Sequence, residues 1–505
     1  MWHRQRQHRH QRCRNRRRVR RREGNRRRSR VRLRFMARLH AAADQHGQLF
    51  PRAATGSGHR FRLIEPSAFP RHCWSFSMVQ FAEGCLWEQL TPQRPVSPAL
   101  SGERSADVCI IGAGFTGLSA ALRLLEGGKS VCVVEAHQVG HGGSGRNVGL
   151  VNAGTWVAPD ALEKVLGSVE ADRLNTALGA APALVFETID KYRIDCQDTR
   201  TGNLHMAHNA KGLADLRSRA EQWQRRGANV ELLTGKPCED ACGTDKVSGA
   251  LLDHRAGTVN PMAYVSGMAL NVVARGGQLF GESPVTGLQR TAYGWKVCTA
   301  TGSVRAEKVI IASNAYTEGE WTDIKDHIFA GYYYQVASQP LSGEAQADIL
   351  RGGQGSWDTR TVLSNIRRDA HGRLLLGSLG NAGNYPLWFI RRWADRVQQH
   401  YFPQLGRVEW ESTWTGRIGF TPDHLLRLFE PAPGLLAATG FNGRGVTTGT
   451  LVGKCFADYL LSNDEAALPV SFSGTRKVSA NGLRTLAYDA GFTLYHAGQC
   501  LRVVL

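Results

Sequence analysis

A strand–turn–helix–strand pattern over residues 106–135 restricts the fold of this chain more than any other feature. Ala106–Ile111 (ADVCII) is an apolar run of strand length, and the turn GAGFTG follows it directly. Leu118–Leu125 has the apolar spacing of a helix, and Ser130–Glu135 (SVCVVE) is a second strand-like run. Two strands joined through a helix over so short a distance are typical of a parallel sheet, so the sequence predicts an α/β fold.

The turn has the glycine spacing of dinucleotide-binding proteins. Gly112 allows the tight turn, Gly114 lets a pyrophosphate approach the helix N-terminus, and Gly117 lets the helix pack closely on the strand. The Glu135 carboxylate can accept hydrogen bonds from ribose hydroxyls. An ordinary glycine-rich turn is the alternative, but strand, helix and acidic residue all stand where the fingerprint requires them. The predicted cofactor-binding residues here are Gly112, Gly114, Phe115, Thr116, Gly117, Glu135 and Ala136.

A second glycine-rich segment, GGSGRNVG at 142–149, follows soon after Glu135. Its small residues can bring a loop against the pyrophosphate, and the guanidinium of Arg146 can neutralise that charge. The alternative is a flexible surface loop. We interpret the segment as part of a site for FAD rather than NAD, with contacts from Ser144, Gly145, Arg146 and Asn147.

These segments resemble those of the FAD-dependent amine and amino-acid oxidases, the family that includes glycine, sarcosine and D-amino-acid oxidases. KVIIASNAYT at 308–317 is similar to the strand and loop that close under the FAD, and GFNGRGV at 440–446 is similar to the turn whose helix faces the flavin. The resemblance covers about residues 85–465. It implies further FAD contacts from Val285, Gly440, Asn442, Gly443, Arg444 and Gly445, with Arg444 standing where the family usually has histidine.

The resemblance also implies the architecture. We expect a Rossmann-like FAD-binding domain of the glutathione-reductase type and a substrate domain with a mixed, mostly antiparallel sheet. The chain would pass between them repeatedly. We assign residues 78–200, 258–319 and 426–505 to the FAD-binding domain, the last with a tail, and 201–257 and 320–425 to the substrate domain.

Within the family, three elements resemble the branch that oxidises L-pipecolate or γ-glutamylputrescine: GYYYQV at 331–336, WDTR at 357–360 and WTGR at 414–417. The runs 149–159, 331–337 and 495–505 are together most similar to the L-pipecolate enzymes. The implied reaction is oxidation of L-pipecolate to Δ1-piperideine-6-carboxylate in lysine catabolism, by hydride transfer to flavin N5. γ-Glutamylputrescine or another amine is the alternative substrate. The implied electron acceptor is oxygen or a membrane quinone.

A substrate with a carboxylate requires a cationic side chain. We select Arg360 because its guanidinium binds both oxygens, although a structural ion pair is an equally good interpretation. Tyr332, Tyr333 and Tyr334 alternate along a strand, so either Tyr332 and Tyr334 or Tyr333 alone can reach the substrate. Asn152 follows the second glycine segment closely enough to line the same pocket.

The net charge of +20 is concentrated at the N-terminus. Residues 1–77 contain 22 arginines and three acidic residues, so the remaining chain is nearly neutral. Such a charge density predicts disorder. It is also typical of nucleic-acid binding, which is an alternative function of a different class, or of organelle targeting. We favour a start of translation near Met78, and we expect no nucleic-acid partner for the catalytic part.

The cysteines bear on the compartment. The 11 cysteines are scattered and odd in number, which is typical of reduced thiols in a cytosolic protein. Cys238 and Cys242, the close pair, lack a second pair of ligands, so no metal site is predicted. No apolar run is long enough to span a membrane. We therefore expect a cytoplasmic enzyme, free or attached to a membrane surface.

Overall fold

Two mixed β-sheets, each covered by helices, form the part of the chain that this computed structural model describes. It describes residues 85–91, 93–319, 322–474 and 477–500. The predicted basic extension, 1–77, lies outside the described residues.

The strands and helices are numbered in chain order. The strands are β1 (Gly102–Ile111), β2 (Val131–Val134), β3 (Leu150–Val151), β4 (Asn203–Ala207), β5 (Val230–Leu233), β6 (Gly249–Asp253), β7 (Gly257–Thr258), β8 (Gln278–Phe280), β9 (Val285–Thr291), β10 (Gly294–Thr299), β11 (Gly302–Ile311), β12 (Phe329–Pro340), β13 (Gly355–Asp358), β14 (Ser364–Arg368), β15 (Arg373–Leu379), β16 (Trp410–Phe420), β17 (Arg427–Ala432) and β18 (Leu435–Thr439). The α-helices are α1 (Leu86–Gln89), α2 (Phe115–Glu126), α3 (Gly143–Arg146), α4 (Pro159–Leu166), α5 (Ser168–Tyr192), α6 (Ala210–Gln224), α7 (Gly235–Cys242), α8 (Pro261–Ala274), α9 (Leu387–Tyr401), α10 (Gly445–Ser462) and α11 (Asn481–Cys500).

The first sheet has β1 near its centre, in the order β17–β18–β11–β1–β2–β8. Its inner strands are parallel, whereas β17 pairs antiparallel with β18, and a hairpin of β9 and β10 pairs with β11. Alternate residues of β1 face two cores: Val108 and Ile110 pack with α2, α8 and α10, while Cys109 and Ile111 pack with the hairpin. Because both faces are covered, the central strands are continuous apolar runs.

The second sheet has the order β16–β12–β15–β14–β13–β4–β6–β5, and all its pairs except β13–β4 are antiparallel. One face contributes Ala337 and Trp414 to the core that contains α2, α8 and α10. On the opposite face, Val336 and Leu376 pack with Trp393 of α9. This architecture confirms the predicted fold class, an α/β protein with a second, mostly antiparallel sheet.

Two glycine turns lie at one end of the first sheet. Because β1, β2, β11 and β18 are parallel, their carboxyl ends meet at the same edge. The glycine turn at 112–117 follows β1, and the C-terminal turn at 440–445 follows β18. The chain thus returns to one edge from segments far apart in sequence. The predicted domain bounds themselves stay predictions.

Candidate active site

The glycine turn after β1 lies at this shared edge. Gly112 has a φ of +111°, a conformation that side chains rarely allow. A Cβ on Gly117 would lie 2.0 Å from the carbonyl oxygen of Gly112, and a Cβ on Gly114 would lie 2.7 Å from Ser144 Oγ. Phe115 and Thr116 are buried as the first residues of α2. The glycines therefore let the N-terminus of α2 pack against the strand end, where its N–H groups can bind a phosphate.

Glu135 follows β2 directly, and two backbone amides hold its carboxylate. Oε2 accepts a hydrogen bond from the Ala113 N–H at 2.8 Å, and Oε1 accepts one from the His137 N–H at 3.1 Å. Burial raises the pKa of this carboxyl, and the two hydrogen bonds oppose that rise. The remaining lone pairs can accept hydrogen bonds from ribose hydroxyls. Ala136, the next residue, is exposed.

The second glycine segment folds over the start of α2 and includes the short helix α3. Ser144 Oγ accepts a hydrogen bond from the Phe115 N–H at 3.1 Å. Asn147 Nδ2 donates to the carbonyls three and four residues before it, and Asn147 Oδ1 accepts from the Gly149 N–H at 2.8 Å. Gly145 leaves no room for a side chain, because a Cβ would lie 2.3 Å from a carbonyl oxygen. These contacts join the two glycine segments into one cradle.

Arg146 is buried within this cradle. Its Nε donates to the carbonyl five residues before it at 2.6 Å, and its Nη2 lies 3.6 Å from Glu88 Oε1. Two indoles fix the backbone beside it: Trp87 Nε1 donates to the Asn147 carbonyl at 2.9 Å, and Trp414 Nε1 donates to the Arg146 carbonyl at 2.8 Å. Sequence reasoning missed the supporting roles of Trp87, Glu88 and Trp414, because each partner lies far away in the sequence.

The C-terminal turn links β18 to α10. Asn442 Oδ1 accepts a hydrogen bond from the Thr421 N–H at 2.9 Å, and Asn442 Nδ2 donates to the Gly440 carbonyl at 2.6 Å. Helix α10 begins at Gly445, where a Cβ would meet no atom within 4 Å, and Gly443 is exposed. The start of α10 therefore faces open space.

These residues fit FAD. The N-termini of α2 and α10 follow β1 and β18, which flank β11 in the sheet, and helix N-termini favour anionic groups such as a pyrophosphate. The cradle at Gly114 and Gly117 excludes side chains, while the start of α10 leaves space. Glu135 places a carboxylate at the same edge for ribose hydroxyls.

Val285, the predicted adenine contact, begins β9 and is partly buried against the core that contains Cys109 and Ile111 of β1. Two residues earlier, the Ser283 N–H donates to the carbonyl of Glu135 at 2.9 Å. The structure thus places Val285 close to the carboxyl end of β2. Its contact with adenine stays a prediction.

Arg444, which precedes α10, is buried among aromatic rings. Its Nη1 donates to the Ala153 carbonyl at 2.6 Å, and its guanidinium carbon lies 4.9 Å from the ring centroid of Trp156 and 5.7 Å from that of Trp357. Burial, reinforced by the nearby charge of Arg219, lowers the pKa of Arg444 to about 9. Arg444 is the cation that the resemblance selected beside the start of α10. Its contact with the flavin stays a prediction.

The three candidate tyrosines lie on opposite faces of β12. Tyr334 packs edge-on against Trp393, with ring centroids 5.0 Å apart, in the core on the far side of the second sheet. Tyr332 is half-buried on that same face of the strand. Tyr333 is buried on the opposite face, which it shares with Trp414, the donor to the Arg146 carbonyl, and burial raises the pKa of its hydroxyl. Only Tyr333 therefore faces the second glycine segment, and its role in catalysis stays a prediction.

Arg360 is held by protein groups. Its Nη1 lies 2.6 Å from Asp358 Oδ2 and also donates to the Tyr401 hydroxyl. The Asp358 carboxylate is buried and accepts a further hydrogen bond from Tyr401 at 3.0 Å. This arrangement is the structural ion pair that sequence analysis gave as the alternative. Binding of a substrate carboxylate by Arg360 stays a prediction.

Asn152 lies where β4 and α10 approach the end of the second glycine segment. Its Oδ1 accepts from Asn203 Nδ2 at 2.8 Å, and its carbonyl accepts from Thr447 Oγ1 at 2.9 Å. Sequence reasoning missed Asn203 and also Arg219, whose Nη2 donates to the Trp156 carbonyl at 2.6 Å. Neither residue stands in a recognisable motif, and both reach this segment only through the tertiary fold.

In the part of the chain that the structure covers, no group of three or more His, Cys, Asp and Glu side chains is arranged to hold a metal ion. Cys238 and Cys242 lie 3.9 Å apart, sulfur to sulfur, inside α7. Likewise, none of the described helices combines the length and apolar character needed to cross a bilayer.

Comparisons with known proteins agree with this geometry. The model of the DAO family, described as FAD dependent oxidoreductase, matches residues 107–459. Gamma-glutamylputrescine oxidoreductase of Escherichia coli (strain K12) is 32% identical over 364 residues, which cover 72% of this chain and 85% of that protein. A probable oxidoreductase, OrdL, of Haemophilus influenzae is 31% identical over 407 residues, or 79% of this chain and 93% of that protein.

Solved structures show the same fold. Glycine oxidase from Geobacillus kaustophilus superposes with a TM-score of 0.60 at 20% identity, covering 74% of this chain and all of that chain. L-proline dehydrogenase from P. horikoshii superposes with a TM-score of 0.58 at 19% identity, covering 72% of this chain and 95% of that chain.

Proposed function

This chain belongs to the DAO family of FAD-dependent oxidoreductases, and from that premise we propose that it oxidises an amine of the γ-glutamylputrescine type. The protein is an FAD-dependent oxidoreductase acting on amine or amino-acid substrates. The observation that carries the narrower proposal is the 32% identity to gamma-glutamylputrescine oxidoreductase over 85% of that protein.

The state of Arg360 supports this choice over L-pipecolate. In L-pipecolate the carbon that loses the hydride and the carbon that bears the carboxylate flank the same nitrogen, so the carboxylate requires a cation close to that nitrogen. Arg360 was the predicted cation, and its Nη1 already binds Asp358 and Tyr401. A primary amine at the end of a long substrate carries no carboxylate so close to its nitrogen.

The cofactor and the chain divide the work. FAD, when bound, supplies the acceptor for the hydride that leaves the carbon next to nitrogen. The N–H groups at the start of α2 would hold its pyrophosphate, and Glu135 would accept hydrogen bonds from its ribose. The dipole of α10 and the guanidinium of Arg444 both place positive charge at the N-terminus of that helix. The substrate amine loses a hydride and a proton to become an imine, which water then converts to an aldehyde and ammonia.

A substrate panel tests the proposal. The protein is purified with its FAD, and kcat/KM is measured for γ-glutamylputrescine, L-pipecolate, L-proline and sarcosine, with anaerobic bleaching of the flavin as the readout. We expect γ-glutamylputrescine to reduce the flavin with the highest kcat/KM. Faster reduction by L-pipecolate would refute the proposal and restore the substrate implied by the sequence motifs. A colourless protein that binds no added FAD would refute flavin chemistry altogether.

A further inference from the structure

Two arginines from distant parts of the chain grip one short segment beside the start of α10. Arg444 Nη1 donates to the Ala153 carbonyl at 2.6 Å. Arg219, on α6, donates to the Thr155 carbonyl at 3.3 Å and to the Trp156 carbonyl at 2.6 Å. Residues 153–156 directly follow Asn152, whose carbonyl is bound by the first turn of α10. Both cations therefore lie next to the predicted flavin site.

No ion pair within the described residues neutralises these two cations, and Asp215, the acidic neighbour of Arg219 on α6, lies beyond ion-pair distance. Among the described residues, no carboxylate lies within ion-pair distance of Arg219 or Arg444. Asp253, an acidic neighbour of Arg444, is already paired with Arg255 at 2.7 Å. Burial, followed by the charges of the two arginines, lowers the pKa of His205, so this imidazole stays neutral. Carbonyl oxygens satisfy some of the N–H groups, but they carry no net charge.

Two buried donors also lack acceptors. Arg444 is 9% exposed, and neither its Nε nor the Nε1 of Trp357 has a hydrogen-bond partner within the part of the chain that is described. The two groups are neighbours, since the guanidinium lies 5.7 Å from the Trp357 ring centroid. Buried N–H groups without acceptors are costly, and a carboxylate provides acceptors without adding donors.

We propose that Arg219 and Arg444 bind a carboxylate of the substrate, at the end remote from the oxidised amine. The proposal rests on the proposed function, because a γ-glutamyl group carries such a carboxylate at a distance from the amine. Trp156 and Trp357 provide flat apolar surfaces on which the chain between the two ends can pack. Recognition at the far end differs from the role considered for Arg360, which concerned a carboxylate close to the reacting nitrogen.

Binding of a matched pair of non-reacting probes tests this proposal without turnover. 4-Carbamoylbutanoate has the γ-glutamyl carboxylate and amide but no amine to oxidise, and glutaramide is its uncharged counterpart. Each is titrated into the holoenzyme while the visible flavin spectrum is recorded. We expect the carboxylate to bind at least about ten-fold more tightly than the diamide, as charge-assisted hydrogen bonds predict.

Variants on α6 identify the residues. Arg219→Gln should raise the Kd of 4-carbamoylbutanoate about ten-fold and leave that of glutaramide almost unchanged. Arg217→Gln is the matched control, because Arg217 is exposed on the same helix and the same charge is removed. Equal effects of the two substitutions would overturn the proposal, since they would indicate only the general field of the helix.

Two further results would also overturn the proposal. One is a wild-type holoenzyme that does not distinguish the two probes. The other is an Arg219→Gln protein whose Kd for FAD rises while its probe affinity is unchanged, which would assign the cation to the cofactor. The outcome is separable from that of the substrate panel. An enzyme that binds the carboxylate probe through Arg219 but does not oxidise γ-glutamylputrescine would refute the proposed substrate and support the carboxylate site.

Discussion

Replacing Gly117 by alanine should strongly weaken FAD binding. The new Cβ would lie 2.0 Å from the Gly112 carbonyl oxygen and 3.0 Å from Ile110 Cγ2, whereas ordinary contacts begin at 3.4 Å. The backbone oxygen cannot rotate away as a side chain can, so α2 must move by about 1 Å from β1. Such overpacking costs about 3 kcal/mol at the upper end of its usual range. If the shift displaces the N–H groups that hold the pyrophosphate, the same energy corresponds to about a 100-fold increase in the Kd for FAD.

The assay is titration of apoprotein with FAD, followed by flavin fluorescence and by the ratio of FAD to protein after gel filtration. Gly287→Ala is the matched control, because a Cβ there would meet only Cys298 Cβ, at 3.8 Å. We expect the control to bind FAD as the wild type does. A Gly117→Ala protein with a lowered Tm and an unchanged Kd would refute the reasoning, because the close approach would then serve packing alone.

Three further predictions concern groups around the site. Trp87→Ala should lower the free energy of unfolding by about 3–5 kcal/mol, as truncation of a buried indole usually does, and urea unfolding measures this loss. The same variant should contain less FAD, measured by flavin absorbance, because the hydrogen bond to the Asn147 carbonyl is lost. Arg360→Met should leave Asp358 as a buried, unpaired carboxylate and cost about 3–5 kcal/mol, with little change in KM for the amine; a large KM increase at unchanged stability would return Arg360 to the substrate. Burial is the main cause that lowers the pKa of His141 to about 4, so between pH 6.5 and 4 the unfolded chain binds a proton more readily than the folded one. Stability should therefore fall as the pH drops through that window. His141→Gln should flatten this pH dependence of the urea midpoint, and an unaltered slope would contradict the prediction.

The residues around the first glycine turn were predictable because the constraints are local. Gly112 and Gly117 lie within one strand–turn–helix unit, and their spacing alone requires the backbone approach that the structure shows. Glu135 ends the next strand of the same unit, so its place at the edge follows from the parallel pairing of β1 and β2. Short-range geometry is therefore sufficient to place these residues.

The surroundings of the substrate depend on contacts that no local pattern encodes. Sequence alternation separates Tyr333 from its neighbours, but the face that it occupies depends on how β12 pairs with β16. Similarly, the fork of Arg360 suits a substrate or a protein carboxylate equally well. Tyr401, which lies on α9, helps to decide between them, and only the tertiary fold brings it there. Arg219 carries no signal at all until α6 packs beside the segment at 153–156.

The interleaved order of the first sheet has a consequence for biosynthesis. Ile110 of β1 pairs with Ile310 of β11, and Val309 of β11 pairs with Leu435 of β18. β1 is therefore synthesised long before β11, and β11 long before β18. Closing such long loops slows folding and leaves apolar strand edges exposed in the meantime. The start of α10 leaves the ribosome later still. FAD capture should therefore follow the synthesis of residues 440–445, and nascent chains shortened before residue 439 should depend on chaperones and retain no flavin.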